Sequence, residues 1–321
     1  MSNKFIRYYA ITVSLLMVLG GILLYRSLPG ISYTAVAEDP TIWNIPDINS
    51  LPRTPENALI RYGKELIINT ARYLGPKGSV AVMSNGMNCE NCHLEAGTRL
   101  NGNCFAMVAS TYPKYRDRSG KLESVEFRVN DCMERSLNGK KLDSLSKEMQ
   151  AMVAYLKWLG AKVPKNVKLK GMGITVLSFP DKAASIDNGK QVYVLKCHSC
   201  HGDNGEGLLK PDSTGYIYPP LWGSHSYNVS AGIYLISRLA GYVKYNMPFT
   251  EFQGAPQLSD DEAWDVAAFV NSQPRPEKYF KTDWPVIATK PFDYPFGPYA
   301  DSFSVAQHKY GPYAAIKKNK K

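Results

Sequence analysis

The sequence has no excess of acidic residues and little cysteine. Its 321 residues include 28 Asp and Glu against 38 Lys and Arg, which gives a formal net charge of +10. A positive surface attracts small anions, acidic partner proteins or anionic lipid headgroups. The sequence also lacks a nucleic-acid-binding motif, and its Lys and Arg are scattered, so we do not expect a nucleic-acid partner. The length leaves room for two ordinary domains.

A long uncharged run lies near the N-terminus, from Tyr8 to Tyr25, and arginine closes it on both sides. Its 18 residues are close to the minimum for a membrane span. The pattern is typical of a signal peptide or of an uncleaved signal anchor. A segment that resembles a cleavage site, Ala35 to Ala37, lies about ten residues beyond the run, farther than is usual. We therefore favour an anchor over residues 1–30, rather than a cleaved peptide or a buried core helix.

The cysteines are few but patterned. Four of the six form two copies of one motif, C-x-x-C-H: Cys89-Glu-Asn-Cys92-His93 and Cys197-His-Ser-Cys200-His201. This motif is the attachment signature of c-type haem. Two thiols on one helical turn reach the two vinyl groups of a porphyrin, and the adjacent histidine ligates the iron. A redox-active cysteine pair or a zinc site is the alternative. Two copies on an exported chain favour two covalently bound haem c groups, here haem 1 and haem 2 in chain order.

Predicted helices flank each motif. They cover residues 56–73 and 146–159 around the first motif, and residues 184–197 and 259–271 around the second. We expect Ser259 to cap the last of these, and Gly160 to end the helix at 146–159. Helix, C-x-x-C-H, loop and closing helix is the plan of a small class I cytochrome c. Its repetition predicts a mainly α fold with two fused class I cytochrome c domains, preceded by a membrane-anchor or signal helix.

The expected boundaries follow from this plan. After the N-terminal segment, we expect a catalytic haem 1 domain at 45–165 and an electron-transfer haem 2 domain at 183–276. Residues 161–182 are rich in Gly and Pro and are typical of a linker. The C-terminal extension, residues 277–321, is rich in Pro, Tyr and Phe, and its aromatic residues suggest that it packs across the domains.

The second axial ligand of haem 2 has one clear candidate. Met247 lies 46 residues after His201, within Asn246-Met247-Pro248 and just before the closing helix. A class I cytochrome places its axial methionine there, whereas a lone methionine elsewhere is usually a core residue. A thioether ligand stabilises ferrous iron and raises the reduction potential. The sequence therefore predicts that haem 2 is an electron-transfer haem.

The second ligand of haem 1 is less ordinary. Two cysteines remain, Cys104 and Cys132, and in an oxidising compartment they can form a disulfide. The alternative is that one thiolate ligates the iron of haem 1. Four methionines also compete for that place: Met107, Met133, Met149 and Met152.

Basic residues surround Cys132. Arg128 and Arg135 flank it in sequence, and Arg118 comes slightly earlier. Such cations lower the pKa of a cysteine and suit a small anion. On a helix, Arg128, Cys132, Arg135 and Ser136 share one face. The alternative interpretation is a solvated basic surface.

Three segments together resemble a known family. They are Cys89-Glu-Asn-Cys-His-Leu-Glu-Ala-Gly-Thr98, Tyr112-Pro-Lys-Tyr-Arg-Asp-Arg-Ser119 and Asn130-Asp-Cys-Met-Glu-Arg-Ser-Leu-Asn-Gly139. These segments are similar to those of the dihaem thiosulfate dehydrogenases, which also act as tetrathionate reductases. The resemblance extends over residues 50–275, and the Asn-Asp-Cys block is more specific than C-x-x-C-H.

The resemblance implies a division of labour between the haems. Haem 1 is then the active site, with His93 as proximal and Cys132 as distal ligand. Haem 2 passes electrons onward, with His201 and Met247 as ligands. The family's substrate-site positions fall on three residues: Arg118, Arg128 and Ser136.

One departure from the family concerns haem 2. Some members carry a lysine directly before the haem 2 methionine as an alternative ligand. Here that residue is Asn246, with Lys244 nearby, which argues against a switch between lysine and methionine.

The expected function is a reversible coupling of two thiosulfate ions to tetrathionate in the periplasm, on a protein anchored in the inner membrane or cleaved and soluble. The partners are then the sulfur anion, the membrane and an external cytochrome. One alternative is a membrane-anchored dihaem electron carrier without chemistry of its own. Another is a cytochrome that attaches sulfur to a carrier protein.

Overall fold

The computed structural model describes residues 3–27, 39–249 and 256–319. Two compact units divide the chain, with the boundary after Asp39. The described part of the first unit contains one helix, α1 (Asn3–Ser27). Among the described residues, no helix is long and apolar enough to cross a membrane. The membrane anchor stays a prediction, and the candidate cleavage site at Ala35 to Ala37 lies outside the described residues.

The second unit, residues 40–321, is mainly helical. Its helices are α2 (Pro55–Ile68), α3 (Thr70–Leu74), α4 (Leu94–Gly97), α5 (Val108–Thr111), α6 (Val125–Arg135), α7 (Lys147–Leu159), α8 (Ile186–Lys196), α9 (His198–His201), α10 (Ile236–Asn246), α11 (Asp260–Ser272), α12 (Val305–Tyr310) and α13 (Ala314–Asn319). Strands β1 (Lys114–Arg116) and β2 (Lys121–Glu123) form one antiparallel hairpin, and β3 (Leu208–Leu209) and β4 (Tyr216–Tyr218) form another. The predicted mainly α fold is confirmed.

The helix ends follow from local sequence. Ser259 caps α11, and its hydroxyl and the Glu262 carboxylate form a reciprocal capping box, as a Ser three residues before a Glu predicts. Gly160 ends α7 as expected. A β-carbon there would lie 2.3 Å from the carbonyl oxygen of Ala106, so close backbone packing requires glycine. Ser185 caps α8, so this helix begins two residues later than the expected start at 184.

The helix predicted at 56–73 is broken at Asn69, which separates α2 from α3. Two tertiary hydrogen bonds explain the break. The backbone N–H of Ala71 donates to the Asn88 side chain at 2.8 Å instead of continuing the helix. The Thr70 hydroxyl accepts the N–H of Cys89 at 3.0 Å. The first C-x-x-C-H motif therefore decides where this helix ends.

The same helix crossing occurs in both halves of the unit. Helix α2 packs on α7, and α8 packs on α11. A β-carbon on Gly63 would lie 2.0 Å from the Ala151 carbonyl oxygen, and one on Gly189 would lie 1.9 Å from that of Asp265. Glycine lets the backbones touch at each crossing, which brings the flanking side chains into a shared core.

The segment predicted as a linker is packed against both halves. The N–H of Lys170 donates to Thr41 O at 2.9 Å. Leu169 is buried. The carbonyl oxygen of Thr175 lies against Gly241, where a β-carbon would come within 1.8 Å. Residues 161–182 therefore hold the two halves together.

The C-terminal extension also reaches both halves, which confirms that it packs across the domains. At one end, Tyr313 is fully buried in the second core, with ring centroids 5.8 Å from Trp264 and 5.0 Å from Phe179. At the other end, the Lys278 ammonium donates to Gly139 O at 2.8 Å. The backbone N–H of Trp284 donates to a carbonyl in the first half.

Candidate functional site

The two C-x-x-C-H motifs adopt closely similar turns. In the first, the N–H of His93 donates to Cys89 O at 2.9 Å, and in the second the N–H of His201 donates to Cys197 O at 3.0 Å. Each motif is thereby wound into a single helical turn that brings its two thiols and its imidazole together. All six cysteines are free, so both pairs are available for covalent attachment of a porphyrin.

Each motif histidine is oriented by a backbone carbonyl. His93 Nδ1 donates to Asn103 O at 2.6 Å, and His201 Nδ1 donates to Pro219 O at 2.9 Å. This hydrogen bond fixes the tautomer with an unprotonated Nε2, the nitrogen that binds iron. Burial lowers the pKa of His93 to about 4 and also lowers the pKa of His201, which keeps both rings neutral. Thiols, spacing and imidazole orientation therefore fit one haem c at each motif.

The backbone just after His93 is strained. Glu95 and Ala96 have φ angles of 55° and 57°, a region that costs about 1–3 kcal/mol for each such residue. The Glu90 carboxylate accepts the N–H of Ala96 at 3.1 Å, and the Tyr155 hydroxyl donates to Ala96 O at 3.0 Å. These contacts hold the loop that follows His93.

Helix α6 places Cys132 beside the first motif. Burial is the main cause that raises the pKa of Cys89 and Cys92 to about 12, and the nearby charge of Cys132 adds to it. Arg128 lies one turn before Cys132, and the Cys132 thiolate is the main cause that raises the pKa of this guanidinium. The thiol and the cation therefore face each other, as the helical spacing predicts.

The other candidate ligands of haem 1 are placed elsewhere. Cys104 is not bonded to Cys132; its sulfur accepts the N–H of Ala106 at 3.5 Å. Met133, Met149 and Met152 are buried in the first core, each at most 1% exposed. Met107 packs against a smaller cluster around Ala106, Val163 and Leu169. Cys104 and Cys132 therefore stay separate thiols, and these methionines have packing roles.

Three arginines converge on one carboxylate. Asp131 Oδ2 accepts N–H groups from Arg118 and, at 2.5 Å, from Arg128, and Asp131 Oδ1 accepts Nε–H of Arg135. Burial by itself would raise the pKa of Asp131, but the three cations together hold it below its usual value. Burial also lowers the pKa of Arg118, which Asp131 partly offsets. Two of the predicted substrate-site residues, Arg118 and Arg128, are therefore brought together at Asp131, the residue before Cys132 in the chain.

Arg135 has a different role from the one its sequence position suggests. Its guanidinium turns to the C-terminal extension and donates to both carboxylate oxygens of Asp283, each at 2.7 Å. Asp283 is 148 residues away in the chain, and nothing in the sequence pattern points to it. Ser136, the remaining predicted residue, follows α6 and is half-buried. Its N–H donates to Cys132 O at 2.9 Å.

A cavity of about 370 Å³ lies along another face of α6. Its charged lining is more acidic than basic: Glu123, Glu126, Asp131, Glu134 and Asp283 against Arg118, Arg135 and Lys141. Cys132 and Arg128 do not line it. Because its charge does not suit an anion, the cavity is a poor candidate for the thiol-facing pocket.

Met247 is the first residue after α10. It is half-buried, and its N–H donates to Val243 O at 3.0 Å. The neighbouring Lys244 ammonium is bound by Leu258 O at 2.6 Å and by the Asp260 carboxylate at 2.8 Å. The Asn246 amide donates to backbone carbonyls. Both neighbours thus have protein partners, in keeping with the expectation that neither alternates with Met247.

Helix α10 also touches the first motif. The hydroxyl of Tyr242 donates at 3.1 Å to the carbonyl of Asn91, which lies between Cys89 and Cys92. The Asn246 side chain donates to Asn101 O at 3.0 Å, in the loop that leads to the carbonyl partner of His93. The element that carries Met247 is therefore bonded directly to the surroundings of haem 1.

Comparisons with known proteins bear on both halves. Residues 80–164 match the family model described as SoxA/TsdA, cytochrome c domain, and residues 186–274 match the cytochrome c model. The chain is 38% identical over 249 residues to a thiosulfate dehydrogenase of Psychrobacter arcticus, covering 77% of this chain and 72% of that protein. It is 38% identical over 231 residues to a thiosulfate dehydrogenase of Allochromatium vinosum, covering 69% of this chain and 83% of that protein.

A solved structure of thiosulfate dehydrogenase (TsdBA) from Marichromatium purpuratum is also similar, with a TM-score of 0.69 and 29% identity. The match covers 76% of this chain and 52% of that chain, so this chain spans about half the length of the solved one. Both haem-binding halves are thus cytochrome c domains that hold covalent haem c. The chain belongs to the thiosulfate dehydrogenase family of dihaem oxidoreductases.

Proposed function

We propose that this protein joins two thiosulfate ions into tetrathionate in a pocket at haem 1, and that the two electrons leave through haem 2. The observation that carries the proposal is the placement of Cys132 and Arg128 one helical turn apart beside the first C-x-x-C-H motif. Arg118 is held to the same carboxylate as Arg128. A reactive sulfur and two cations therefore share one location.

The cations address the main physical obstacle to the reaction. Thiosulfate carries two negative charges, so two of these ions repel each other strongly when they approach. The repulsion grows in a partly buried site, because the local dielectric constant is lower than that of water. Arg118 and Arg128 provide fixed positive charge without any rearrangement at the moment of reaction.

Cys132 supplies the covalent step. Its thiolate sulfur forms a bond with the outer sulfur of the first thiosulfate, which releases two electrons and breaks no bond. The haems, when bound, accept one electron each. The outer sulfur of the second thiosulfate then attacks the sulfur attached to Cys132, and the Cys132 thiolate leaves as tetrathionate forms. No proton is taken up or lost, and the reverse sequence reduces tetrathionate.

The exit of electrons rests on the second half. The contact of Tyr242 with the first motif and the position of Met247 at the end of the same helix support transfer from haem 1 to haem 2. From there an external cytochrome takes the electrons. The export pattern in the first 30 residues supports a location in the periplasm, on or near the inner membrane.

The replacement Cys132→Ala tests the proposal. We expect thiosulfate-dependent reduction of ferricyanide to fall by at least 1,000-fold, about 4 kcal/mol of lost transition-state stabilisation, while both haems stay bound. The matched control is Cys104→Ala, which removes the other cysteine that lies outside the motifs. It should keep activity within about twofold of the wild type.

The assay with thiosulfate as the sole reductant also separates the alternatives. A pure electron carrier accepts electrons from a reduced cytochrome but does not reduce ferricyanide when only thiosulfate is added. Full activity of Cys132→Ala, with activity present in the wild type, would remove the covalent role and leave the haem 1 pocket as a binding site only.

A further inference from the structure

The C-terminal extension contacts the arginine cluster of the first half through a short segment around Asp283. The Asp283 carboxylate accepts two hydrogen bonds from Arg135, each at 2.7 Å. Only 8% of the Arg135 side chain and 12% of the Asp283 side chain are exposed. The Phe280 ring lies against the guanidinium, 3.8 Å from its central carbon. Arg135 is therefore held by a charged fork and by a stacked ring, both from the extension.

The backbone at this point is strained in a way that keeps the contact. Trp284, directly after Asp283, has a φ of 59°, a conformation that residues with large side chains seldom adopt. Its N–H donates to Arg118 O at 2.7 Å, and its ring packs edge-on against Tyr294, with centroids 5.4 Å apart. Strained backbone of this kind is concentrated at functional sites.

Arg135 in turn determines which carboxylate oxygen of Asp131 binds the other two arginines. Because Nε–H of Arg135 occupies Asp131 Oδ1, the other oxygen is the one that Arg118 and Arg128 contact. Among the described residues, each of these two guanidinium groups has one hydrogen bond, to Asp131. A guanidinium has five N–H donors. Most donors of Arg128, which faces Cys132, therefore stay available for an anion.

We propose that Asp283 is a positioning residue for the substrate anion: it pins Arg135 on Asp131 Oδ1, so that Arg128 keeps its remaining donors for thiosulfate. This inference rests on the proposed function of the haem 1 pocket. Without the Asp283 carboxylate, Arg135 loses its second anchor and Asp131 Oδ1 becomes accessible to Arg128. A two-point contact between Asp131 and Arg128 then withdraws donors from the substrate.

Charge and orientation predict opposite results for the loss of Asp283. Removal of a negative charge near the pocket increases the local positive potential, which by itself tightens binding of a dianion. Loss of the anchor removes oriented donors, which weakens binding. We expect orientation to dominate, because hydrogen bonds between charged groups depend strongly on geometry.

The experiment measures binding of tetrathionate to the oxidised holoprotein by calorimetry, since oxidised haems cannot reduce it. For Asp283→Asn we expect about a 10-fold weaker Kd, from the loss of about one charge-assisted hydrogen bond. We expect the KM for thiosulfate to rise by a similar factor, with kcat changed less than threefold. Asp283→Glu should recover most of the affinity, because it restores the carboxylate.

Asp301→Asn is the matched control. It removes the same charge from the same extension, but Asp301 pairs with His308, at 2.9 Å, and not with an arginine of the cluster. Its tetrathionate Kd should equal that of the wild type. An equal loss in Asp301→Asn would reduce Asp283 to a general docking role and overturn the proposal. So would an unchanged or tighter Kd in Asp283→Asn.

A second variant tests the same contact in case Asp283→Asn does not fold. Phe280→Leu keeps the Asp283 carboxylate and removes the ring under Arg135, and we expect a two- to threefold weaker Kd. If Asp283→Asn does not fold, an unchanged Kd in Phe280→Leu overturns the proposal. A wild-type protein that neither binds tetrathionate nor oxidises thiosulfate contradicts the proposed function itself. An active wild type with an unaffected Asp283→Asn contradicts only the positioning role.

Discussion

The half of the molecule around Cys89 and the half around Cys197 are built on one helix crossing and differ in what faces the haem. In both, glycine on the first helix touches a carbonyl of the closing helix, Gly63 at Ala151 and Gly189 at Asp265. In both, a backbone carbonyl orients the motif histidine. Each half also contains a two-stranded hairpin. The first half then has helix α6, on which Cys132 lies between Arg128 and Arg135, whereas the second has α10, which ends just before Met247.

This difference distinguishes the elements that attach a haem from the segment that differs between the halves. The crossing helices and the motif are shared, so they account for attachment and for one axial ligand. The segment between the motif and the closing helix is not shared. In the first half it carries Cys132 between two arginines, and in the second it carries Met247, which we propose as the thioether ligand of an electron-transfer haem.

The largest effect we expect concerns the shared scaffold. Gly63→Ala and Gly189→Ala should each lower the free energy of unfolding by about 3 kcal/mol, because an added methyl group overlaps a carbonyl of the partner helix. Thermal unfolding of the holoprotein measures this. Gly232→Ala is the control, since among the described residues no atom beyond its neighbours in the chain lies within 4 Å of the methyl group that it adds. A large effect in only one half would show that the scaffolds are not equivalent.

The next effect concerns the arginines that bind Asp131 in the first half. Arg128→Ala should raise the KM for thiosulfate by about 100-fold, because one charged hydrogen-bond partner is worth about 1.5–3 kcal/mol. Steady-state assays at two salt concentrations measure it, and the wild-type KM should rise with salt as screening increases. Arg61→Ala removes the same charge from α2, where the side chain bonds to Leu51 O. An unchanged KM in Arg128→Ala would favour the alternative interpretation, in which Arg128 belongs to a solvated basic surface.

The smallest effect concerns Met247, the residue that follows α10 in the second half. Met247→Leu keeps the volume but removes the thioether, and the potential of haem 2 should fall by an amount on the order of 0.1 V. Spectroelectrochemical titration measures both haems, and the haem 1 potential should stay in place. Met152→Leu, in the first core, is the control for a buried methionine and should change neither potential. An unchanged reduction potential of haem 2 in Met247→Leu would indicate that another residue is the second axial ligand.

Local pattern was enough to predict much of the fold. The two C-x-x-C-H motifs and the capping serine of α11 could be read from neighbouring residues, because haem attachment and helix capping act within a few positions. The spacing of Arg128 and Cys132 could also be read from neighbouring residues, because the two lie one helical turn apart on α6. The break at Asn69 could not be predicted, because it depends on two tertiary hydrogen bonds: Asn88 Oδ1 accepts the N–H of Ala71, and the N–H of Cys89 donates to the Thr70 hydroxyl.

Residue pattern alone predicts two attached haems, one helical plan used twice, and the position of Cys132 between Arg128 and Arg135. Each of these depends on residue types at short, regular spacing. The fold, in contrast, sets which arginine is held away from the thiol. Arg128 and Arg135 are similar in sequence context, but Asp283 lies 148 residues from Arg135 and meets it only because the C-terminal extension folds back across both halves. Electrostatic partnership depends on distance in space, and the chain order does not encode that distance locally.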